Sequence, residues 1–220
     1  MANAVNVDTW NGGQTSRTIA FTPTAGRLVV VALTSSSAFG ALGGGVAVSW
    51  NAIMTEQTGQ NSEHEVAYWG IATGSTGPLT YGDVAVTEGA FCEYDITTAS
   101  ATDDSDQAAS GNGTAITSNA IVTASIDIII GISWNGSGAV TYTGAWISDA
   151  SVGNNETLAV ASIVNASPGS YQLTTSSTYL LWEAVIAGVV TASATPLVTS
   201  TLRTMGQGRP PRAFRPGIAR

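Results

Sequence analysis

The chain has 220 residues, of which 44% are hydrophobic and only 10% are charged. This length and apolar content suffice for one packed domain, and all-β domains often reach this size. The net charge is −8, and the body of the chain (residues 1–202) carries two arginines against 15 acidic residues, with no lysine anywhere. A body this acidic repels phosphate backbones, which argues against nucleic acid as its partner.

The lack of recognisable targeting signals and the single cysteine indicate the cellular compartment in which the protein is made. The start, MANAVNVDTW, lacks the basic residues and the apolar segment of a secretory signal. No apolar run approaches the roughly 20 residues that span a bilayer. We therefore expect synthesis in the cytoplasm and no membrane association. Cys92 is the only cysteine, so no intrachain disulfide can form, and we expect it to be a buried apolar residue.

Strands are predicted along the whole body, because segments rich in Val, Ile, Thr, Tyr and Trp alternate with turn residues. The predicted strands span residues 27–36, 46–50, 52–58, 65–72, 79–87, 90–98, 115–124, 127–134, 139–147, 157–164, 170–176 and 179–190. No segment keeps a helical period over three turns. This pattern predicts an all-β fold, an antiparallel β-sandwich, with residues 1–190 as one sandwich domain.

Three apolar runs break the alternation: LVVVAL (28–33), IIIGI (128–132) and AVIAGVV (184–190). A strand at the surface of a two-layer sandwich needs only one apolar face, so a continuous run implies cover on both faces. Either other segments of the same chain or another subunit could supply this cover.

The dipeptide Trp-Asn occurs at Trp10, Trp50 and Trp134, each near a predicted strand end. An internal duplication is one explanation, but the flanking residues do not align well enough to establish a repeat. The alternative is that Asn suits a turn while the preceding Trp covers the end of the sandwich.

Several segments between residues 25 and 190 follow a recurring order of strands and turns. They include AGRLVVVAL, VSWNAIMTEQTG, EVAYWGIATGSTGPLTYGDVAV and the closing SPGSYQLTTSSTYLLWEAVIAGVV. In these segments the body resembles a family of β-sandwich domains found in phage virion proteins and in some large bacterial surface proteins. Ala52 stands where the family often has Gly. The resemblance implies a jelly-roll-like binding or structural module without catalytic residues.

No group of residues predicts enzymatic chemistry. His64 is the only histidine, and on a strand its neighbours Glu63 and Glu65 point to the opposite face, so the three cannot converge. The chain contains no GxSxG, P-loop, dinucleotide-binding or zinc-ligand pattern. We therefore expect a non-enzymatic protein without a cofactor, in which His64 lies in an exposed polar segment.

Two acidic features remain open. Asp103, Asp104 and Asp106 form the densest acidic cluster, which we expect to be a solvated loop, with weak calcium binding or contact with a neighbour's arginines as alternatives. Glu183 lies within the apolar stretch LLWEAVIAG. A buried carboxylate needs a partner, and Arg17, Arg27 or an arginine of the C-terminus could serve.

The C-terminal arm (residues 191–220) differs from the body, because it holds four of the seven prolines, and residues 203–220 contain five arginines and no acid. Arginine binds carboxylates through two parallel hydrogen bonds. Thirty extended residues reach roughly 100 Å, whereas the body is about 40 Å across. We predict that the arm docks on an acidic protein surface, with nucleic-acid contact or an unbound tail as alternatives. The expected contact residues are Arg203, Arg209, Pro210, Pro211, Arg212, Phe214, Arg215 and Arg220.

Together these features predict a structural protein of a phage-like virion, made in the host cytoplasm, such as a capsid decoration (cement) or other minor virion protein. Its expected partners are capsid or other virion proteins and copies of itself. The alternative is a carbohydrate- or receptor-binding module of a tail fibre or surface assembly. Exposure of Trp10, Trp69 or Trp146 would favour that alternative, because sugars stack on aromatic faces.

Overall fold

A computed structural model of the chain describes residues 2–58, 64–82, 84–97, 99–103, 109–112, 114–123, 127–135, 139–153, 157–176 and 181–192. Over these residues the protein is all-β, without a helix, and its strand pairs are antiparallel. The first half of the chain forms β1 (Asn6–Gln14), β2 (Ser16–Arg17), β3 (Leu28–Ser35), β4 (Gly43–Gly44), β5 (Ala47–Thr58), β6 (His64–Ala72), β7 (Leu79–Thr80) and β8 (Val86–Tyr94).

The second half contains both long strands and short ones. Its strands are β9 (Ala99–Asp103), β10 (Ala109–Asn112), β11 (Ala115–Thr117), β12 (Ile121–Thr123), β13 (Asp127–Asn135), β14 (Thr141–Tyr142), β15 (Ile147–Val152), β16 (Thr157–Ala166), β17 (Gly169–Tyr171), β18 (Thr174–Ser176) and β19 (Leu181–Ala192). The strand β19 continues two residues beyond the predicted end of the sandwich at residue 190.

Two large antiparallel sheets pack face to face. The first large sheet has the order β1-β8-β3-β6-β5, and the second has the order β10-β19-β13-β16-β15, with β9 also paired to β19. The central core lies between them and includes Val30 and Ala32 from β3, Cys92 from β8, and Ile130 and Ile132 from β13. Burial of these apolar faces is the main stabilising contribution that this fold can make.

Each large sheet is also covered on its outer face. The first cap, β2-β7-β4, lies over the first large sheet, and the second cap, β11-β18-β14, lies over the second together with the β12-β17 pair. Every residue of β3 is therefore buried, including Val29 and Val31 on the outer face. The same chain supplies the cover of LVVVAL and IIIGI, whereas the side chains of residues 184–190 lie outside the described part.

The two halves of the chain repeat one strand arrangement. In the first half β1 pairs with β8, β2 with β7 and β3 with β6, a nested series. In the second half β10 pairs with β19, β11 with β18, β12 with β17 and β13 with β16. The order β1-β8-β3-β6-β5 of the first large sheet then corresponds to β10-β19-β13-β16-β15 of the second. In the same way, the first cap β2-β7-β4 corresponds to the second cap β11-β18-β14. Across the central core β1 contacts β15, and β5 contacts β9, which pairs with β19 on the side away from β13.

Apolar residues of the caps fill the outer clusters in both halves. Leu79 in β7 and Leu173, which directly precedes β18, are fully buried there. Ile19 and Ile121 likewise lie in the outer clusters of the first and second half. The Trp-Asn dipeptides do not correspond, because they lie in β1, β5 and β13. The repeated arrangement is therefore visible in the strand pairing and not in those motifs.

Several strand predictions need correction. The strand β1 was not predicted at all, although it forms an edge of the first large sheet. The strands predicted at 46–50 and 52–58 are one strand, β5 (Ala47–Thr58), whose pairing with β6 is interrupted by register shifts. In place of the one strand predicted for residues 115–124, the described residues form two short strands that belong to different sheets, β11 (Ala115–Thr117) and β12 (Ile121–Thr123). Short strands that change sheets have no distinct alternation signature, which explains this error.

Candidate interaction surface

The N-terminal segment is fastened to the second half of the chain by Asp149 of β15. The backbone amides of Asn3 and Ala4 donate hydrogen bonds to Asp149 Oδ1 over 2.7 Å and 2.9 Å. Tyr94 Oη and Ser162 Oγ donate to Asp149 Oδ2 over 2.9 Å and 2.5 Å. Burial, with a contribution from Asp149, raises the pKa of Tyr94 well above its usual value. One carboxylate thus connects the start of the chain with both large sheets.

A second carboxylate, Glu93 of β8, organises the residues next to this segment. Asn6 Nδ2 donates to Glu93 Oε2 over 2.7 Å, and the Thr24 amide donates to Oε1 over 2.9 Å. Arg27 lies 3.3 Å from Glu93 Oε1 and 2.8 Å from Asp95 Oδ1. Burial acts to raise the pKa of Glu93, but the hydrogen bonds from Asn6, Thr24 and Arg27 bring it below its usual value.

These contacts define an acidic cluster, Glu93, Asp95 and Asp149, around the start of β1. Arg27 is the cation that pairs with Glu93 and Asp95. With one guanidinium against three carboxylates, the cluster keeps a negative surplus among the described residues. Asp95 is 68% exposed, so part of this negative charge faces solvent.

The strand β1 forms a regular edge of the first large sheet. It pairs with β8 in step from Asn6 to Asn11, and the register shifts only after Asn11. Val5 and Val7 are 47% and 37% exposed at this edge. The edge strands β5 and β15, by contrast, have register shifts within their paired stretches. An edge strand presents backbone N–H and C=O groups that can pair with another chain.

Arg17, the other arginine of the described residues, is also paired within the chain. Its Nη2 and Nε donate to the Asp8 carboxylate over 2.7 Å and 3.0 Å. The hydrogen bond to Asp8 raises the pKa of Arg17. The guanidinium lies 5.4 Å from the centre of the Trp10 ring, and Trp10 stacks on Tyr81. The hydrogen bonds of Arg17 and Arg27 described here therefore go to acidic residues other than Glu183.

A polar layer lies under the second cap, formed by Ser133, Asn135, Tyr142 and Thr175. Ser133, Asn135 and Thr175 are fully buried, and Thr175 is directly opposite Tyr142. Burial raises the pKa of Tyr142, while the nearby Ser133 hydroxyl acts in the opposite direction. The side-chain polar atoms of this layer have no hydrogen-bond partner of ordinary geometry in the described part of the chain. Buried groups of this type bind ordered water or another polar molecule.

The arm residues predicted to bind a partner all lie outside the described residues: Arg203, Arg209, Pro210, Pro211, Arg212, Phe214, Arg215 and Arg220. Asp104 and Asp106 lie outside them too. The backbone of Asp103 ends β9, and its side chain is not described. The side chain of Glu183 is not described either, so its pairing stays a prediction. Among the described residues, no group of His, Cys, Asp and Glu could hold a metal ion.

Two single residues can be compared with their predictions. Glu65, next to His64, is fully buried, so the prediction of an exposed polar segment is wrong at that position. His64 itself is partly exposed at the start of β6. Cys92 is fully buried in the central core, as predicted, and burial raises the pKa of its thiol.

The aromatic residues that would favour sugar binding are buried. Trp10 and Trp69 are 4% exposed, and Trp146 is 7% exposed. Their rings pack in the outer clusters or the central core, so none of the three offers a face for stacking. Trp10 instead fits against Gly89, and Trp146 against Gly131.

Compared with protein-family models, curated proteins and solved structures, the chain matches none. In the described part of the chain, no helix has the length and apolar character needed to cross a membrane. What the β1 edge and the acidic cluster can bind must therefore be inferred from their own geometry and charge.

Proposed function

We propose that the protein is a non-enzymatic structural component of a phage-like virion, a capsid decoration (cement) or other minor virion protein. Its basic C-terminal arm fastens it to neighbouring subunits. The distribution of charge carries this proposal. Arg17 and Arg27 are both paired within the chain, and the acidic cluster keeps unneutralised carboxylates. The five arginines of residues 203–220 have no acid in their own segment, so an acidic protein surface is their best counterpart.

The strand arrangement supports a jelly-roll-like interpretation of each half. A jelly roll is an eight-stranded antiparallel hairpin rolled into two sheets, so that its first strand pairs with its eighth, its second with its seventh and its third with its sixth. The first half of this chain has those three pairs, divided between a large sheet and a cap. Its fourth and fifth strands depart from the scheme, because β5 pairs with β6 in the large sheet.

Removal of residues 203–220 tests the role of the arm. We expect the truncated protein to keep its folded stability but to lose attachment to particles and to other copies, because the arginines that pair with carboxylates are gone. A full-length control with Gln at positions 203, 209, 212, 215 and 220 separates charge from chain length. Occupancy on particles is measured by quantitative gel electrophoresis. Equal occupancy of truncated and intact protein contradicts the proposal.

Attachment should also weaken with salt, because ion pairs at an exposed surface are screened as the Debye length falls from about 10 Å at 0.1 M to 3 Å at 1 M. Particles are washed at increasing sodium chloride concentration, and the bound fraction is measured. A bound fraction that stays constant from low to molar salt removes the electrostatic part of the proposal.

A further inference from the structure

We propose that the open edge of β1 receives the C-terminal arm of a second copy of this chain. The arm would add to the first large sheet as a further antiparallel strand. This inference rests on the proposed function, because it names the surface to which the arm fastens.

The edge of β1 is suited to pairing. Natural edge strands are protected by charges, proline or irregular geometry that prevent another strand from adding to them. Residues 5–11 contain no proline and no basic residue, and the one acid, Asp8, is buried and paired with Arg17. Val5 and Val7 are two of the four large hydrophobic residues that are exposed among the described residues. A regular, partly apolar edge of this kind needs a cover.

The sequence of the arm supplies a segment that fits this edge. The described structure ends at Ala192, and 28 residues follow it. Within them, LVTSTL (197–202) is uncharged and rich in the β-branched residues that favour strands. Its length is close to that of the regular stretch of β1. Added strands obtain affinity from main-chain hydrogen bonds and specificity from alternate side chains.

Charge fixes the direction of the added strand. If residues 197–202 run antiparallel to β1, Arg203 arrives beside the start of β1. The acidic cluster of Glu93, Asp95 and Asp149 lies there, with its negative surplus. A parallel arrangement would place Arg203 at the opposite end, away from this cluster.

The position of β19 favours a second copy as the source of the arm. In the second large sheet, β19 lies between β10 and β13, whereas β15 is the edge strand that contacts β1. The arm therefore leaves the molecule on the side of β5 and β9, across the sandwich from β1. Two copies placed side by side would bring the arm of one to the β1 edge of the next. Such a head-to-tail contact can repeat around a ring or along a shell.

Disulfide trapping between full-length chains tests the contact. One chain carries Thr9→Cys in β1, the other carries Thr199→Cys in the arm, and the two are mixed under mild oxidation. The matched control replaces Thr9→Cys by Val48→Cys, at an exposed position of the opposite edge strand β5. We expect the Thr9 pair to cross-link at least about tenfold faster, because docking raises the local concentration of the two thiols.

The other outcomes overturn the inference. Equal rates for the two pairs exclude β1 as the preferred acceptor. If the Thr9→Cys chain alone forms disulfide dimers rapidly, two β1 edges pair with each other. If a monomeric Thr9→Cys/Thr199→Cys variant forms an intrachain disulfide, the chain's own arm occupies the edge.

Two charge substitutions test the same contact between the arm and β1 without introduced cysteines. Val7→Arg places a positive charge at the proposed acceptor edge, and Val48→Arg is the matched control at the other edge. We expect Val7→Arg to reduce self-association as strongly as a truncation that removes residues 197–220, and Val48→Arg to leave it unchanged. If truncation reduces association but Val7→Arg does not, the acceptor is wrong and the proposed function stands. If truncation has no effect, the proposed function fails as well.

Discussion

Asp149 shows how much of this fold depends on single polar residues. Its carboxylate accepts hydrogen bonds from Asn3, Ala4, Tyr94 and Ser162, which come from three distant parts of the chain. Tyr94 and Ser162 are fully buried, so water cannot replace the acceptor. Buried polar groups whose hydrogen bonds are all formed favour one specific fold. When one partner is lost, the group left unpaired lowers the free energy of unfolding.

Asp149→Ala should therefore destabilise the protein by about 2–3 kcal/mol, since buried donors lose their acceptor. Asp95→Ala is the matched control, because an exposed ion pair contributes less than about 1 kcal/mol. Urea unfolding followed by tryptophan fluorescence gives both free energies. Equal effects of the two substitutions would show that the Asp149 contacts are not formed.

Glu93 makes stability depend on pH in a defined direction. Its pKa is lower in the folded chain than the value of 4.5 for an unperturbed carboxyl. The charged form therefore stabilises the fold above pH 4.5, and this contribution is lost as the pH falls through the lowered value. Glu93→Gln should be less stable than the wild type at pH 7, and the difference should shrink below pH 4.5. Urea midpoints between pH 7 and pH 3 measure this, and a constant difference contradicts it.

The sequence could identify Glu65 and Glu93 only as acids, not as buried ones. Alternation correctly separates His64 and Glu65 onto opposite faces of a strand, but it does not tell which face is covered. The partners of Glu93 lie 66 or more residues away in the chain. A contact at that distance depends on strand order, which no local pattern encodes.

At the scale of strands, close contacts between glycine and tryptophan determine how near a large sheet and its cap can approach each other. A Cβ added at Gly89 of β8 would lie 2.2 Å from two ring atoms of Trp10. Trp10 in turn stacks on Tyr81, which follows β7 of the first cap. The absence of a side chain at Gly89 therefore lets β1, β8 and the first cap approach one another.

Gly89→Ala should displace the Trp10 ring and cost about 1–3 kcal/mol, the usual penalty for overpacking. Gly45→Ala is the control, because its new Cβ would meet only Ser75 Oγ at 3.7 Å. Unfolding free energies and the emission wavelength of tryptophan report the two effects. Equal stability of both variants would contradict the packing of Trp10 on β8.

Strand positions are the part of the fold that the sequence predicts best. The long buried strands β3, β6, β13 and β16 lie close to their predicted ranges, because β-branched, aromatic and other apolar residues are concentrated in them. The strand β1 was missed, although VNVDTW alternates, because its exposed edge position leaves few apolar residues. Because β1 was not predicted, the surface at its edge was not predicted either. The sequence identified only the C-terminal arm, which we propose to bind there.

For the whole molecule, the main finding is that one strand arrangement occurs twice. Each half contributes one large sheet, and the central core draws on both halves. The sequence did not establish this repeat, because packing constrains the pattern of burial far more than the identity of the residues.

Residues 1–97 and 98–220, produced together as separate chains, should associate in a one-to-one complex, because the central core is divided between them. Either chain alone should self-associate, since it exposes one apolar face of the core. Light scattering coupled to size-exclusion chromatography gives the masses. Two chains that stay soluble and monomeric, alone and together, would contradict the shared core.

The connection of Asn3 and Ala4 to Asp149 and Ser162 has a consequence for biosynthesis. A ribosome adds about 5–20 residues per second, so residues 3 and 4 wait many seconds until Asp149 and Ser162 have been translated. Until then these two residues cannot take their final place beside β15 and β16. This corner of the fold therefore closes only after translation has passed residue 162.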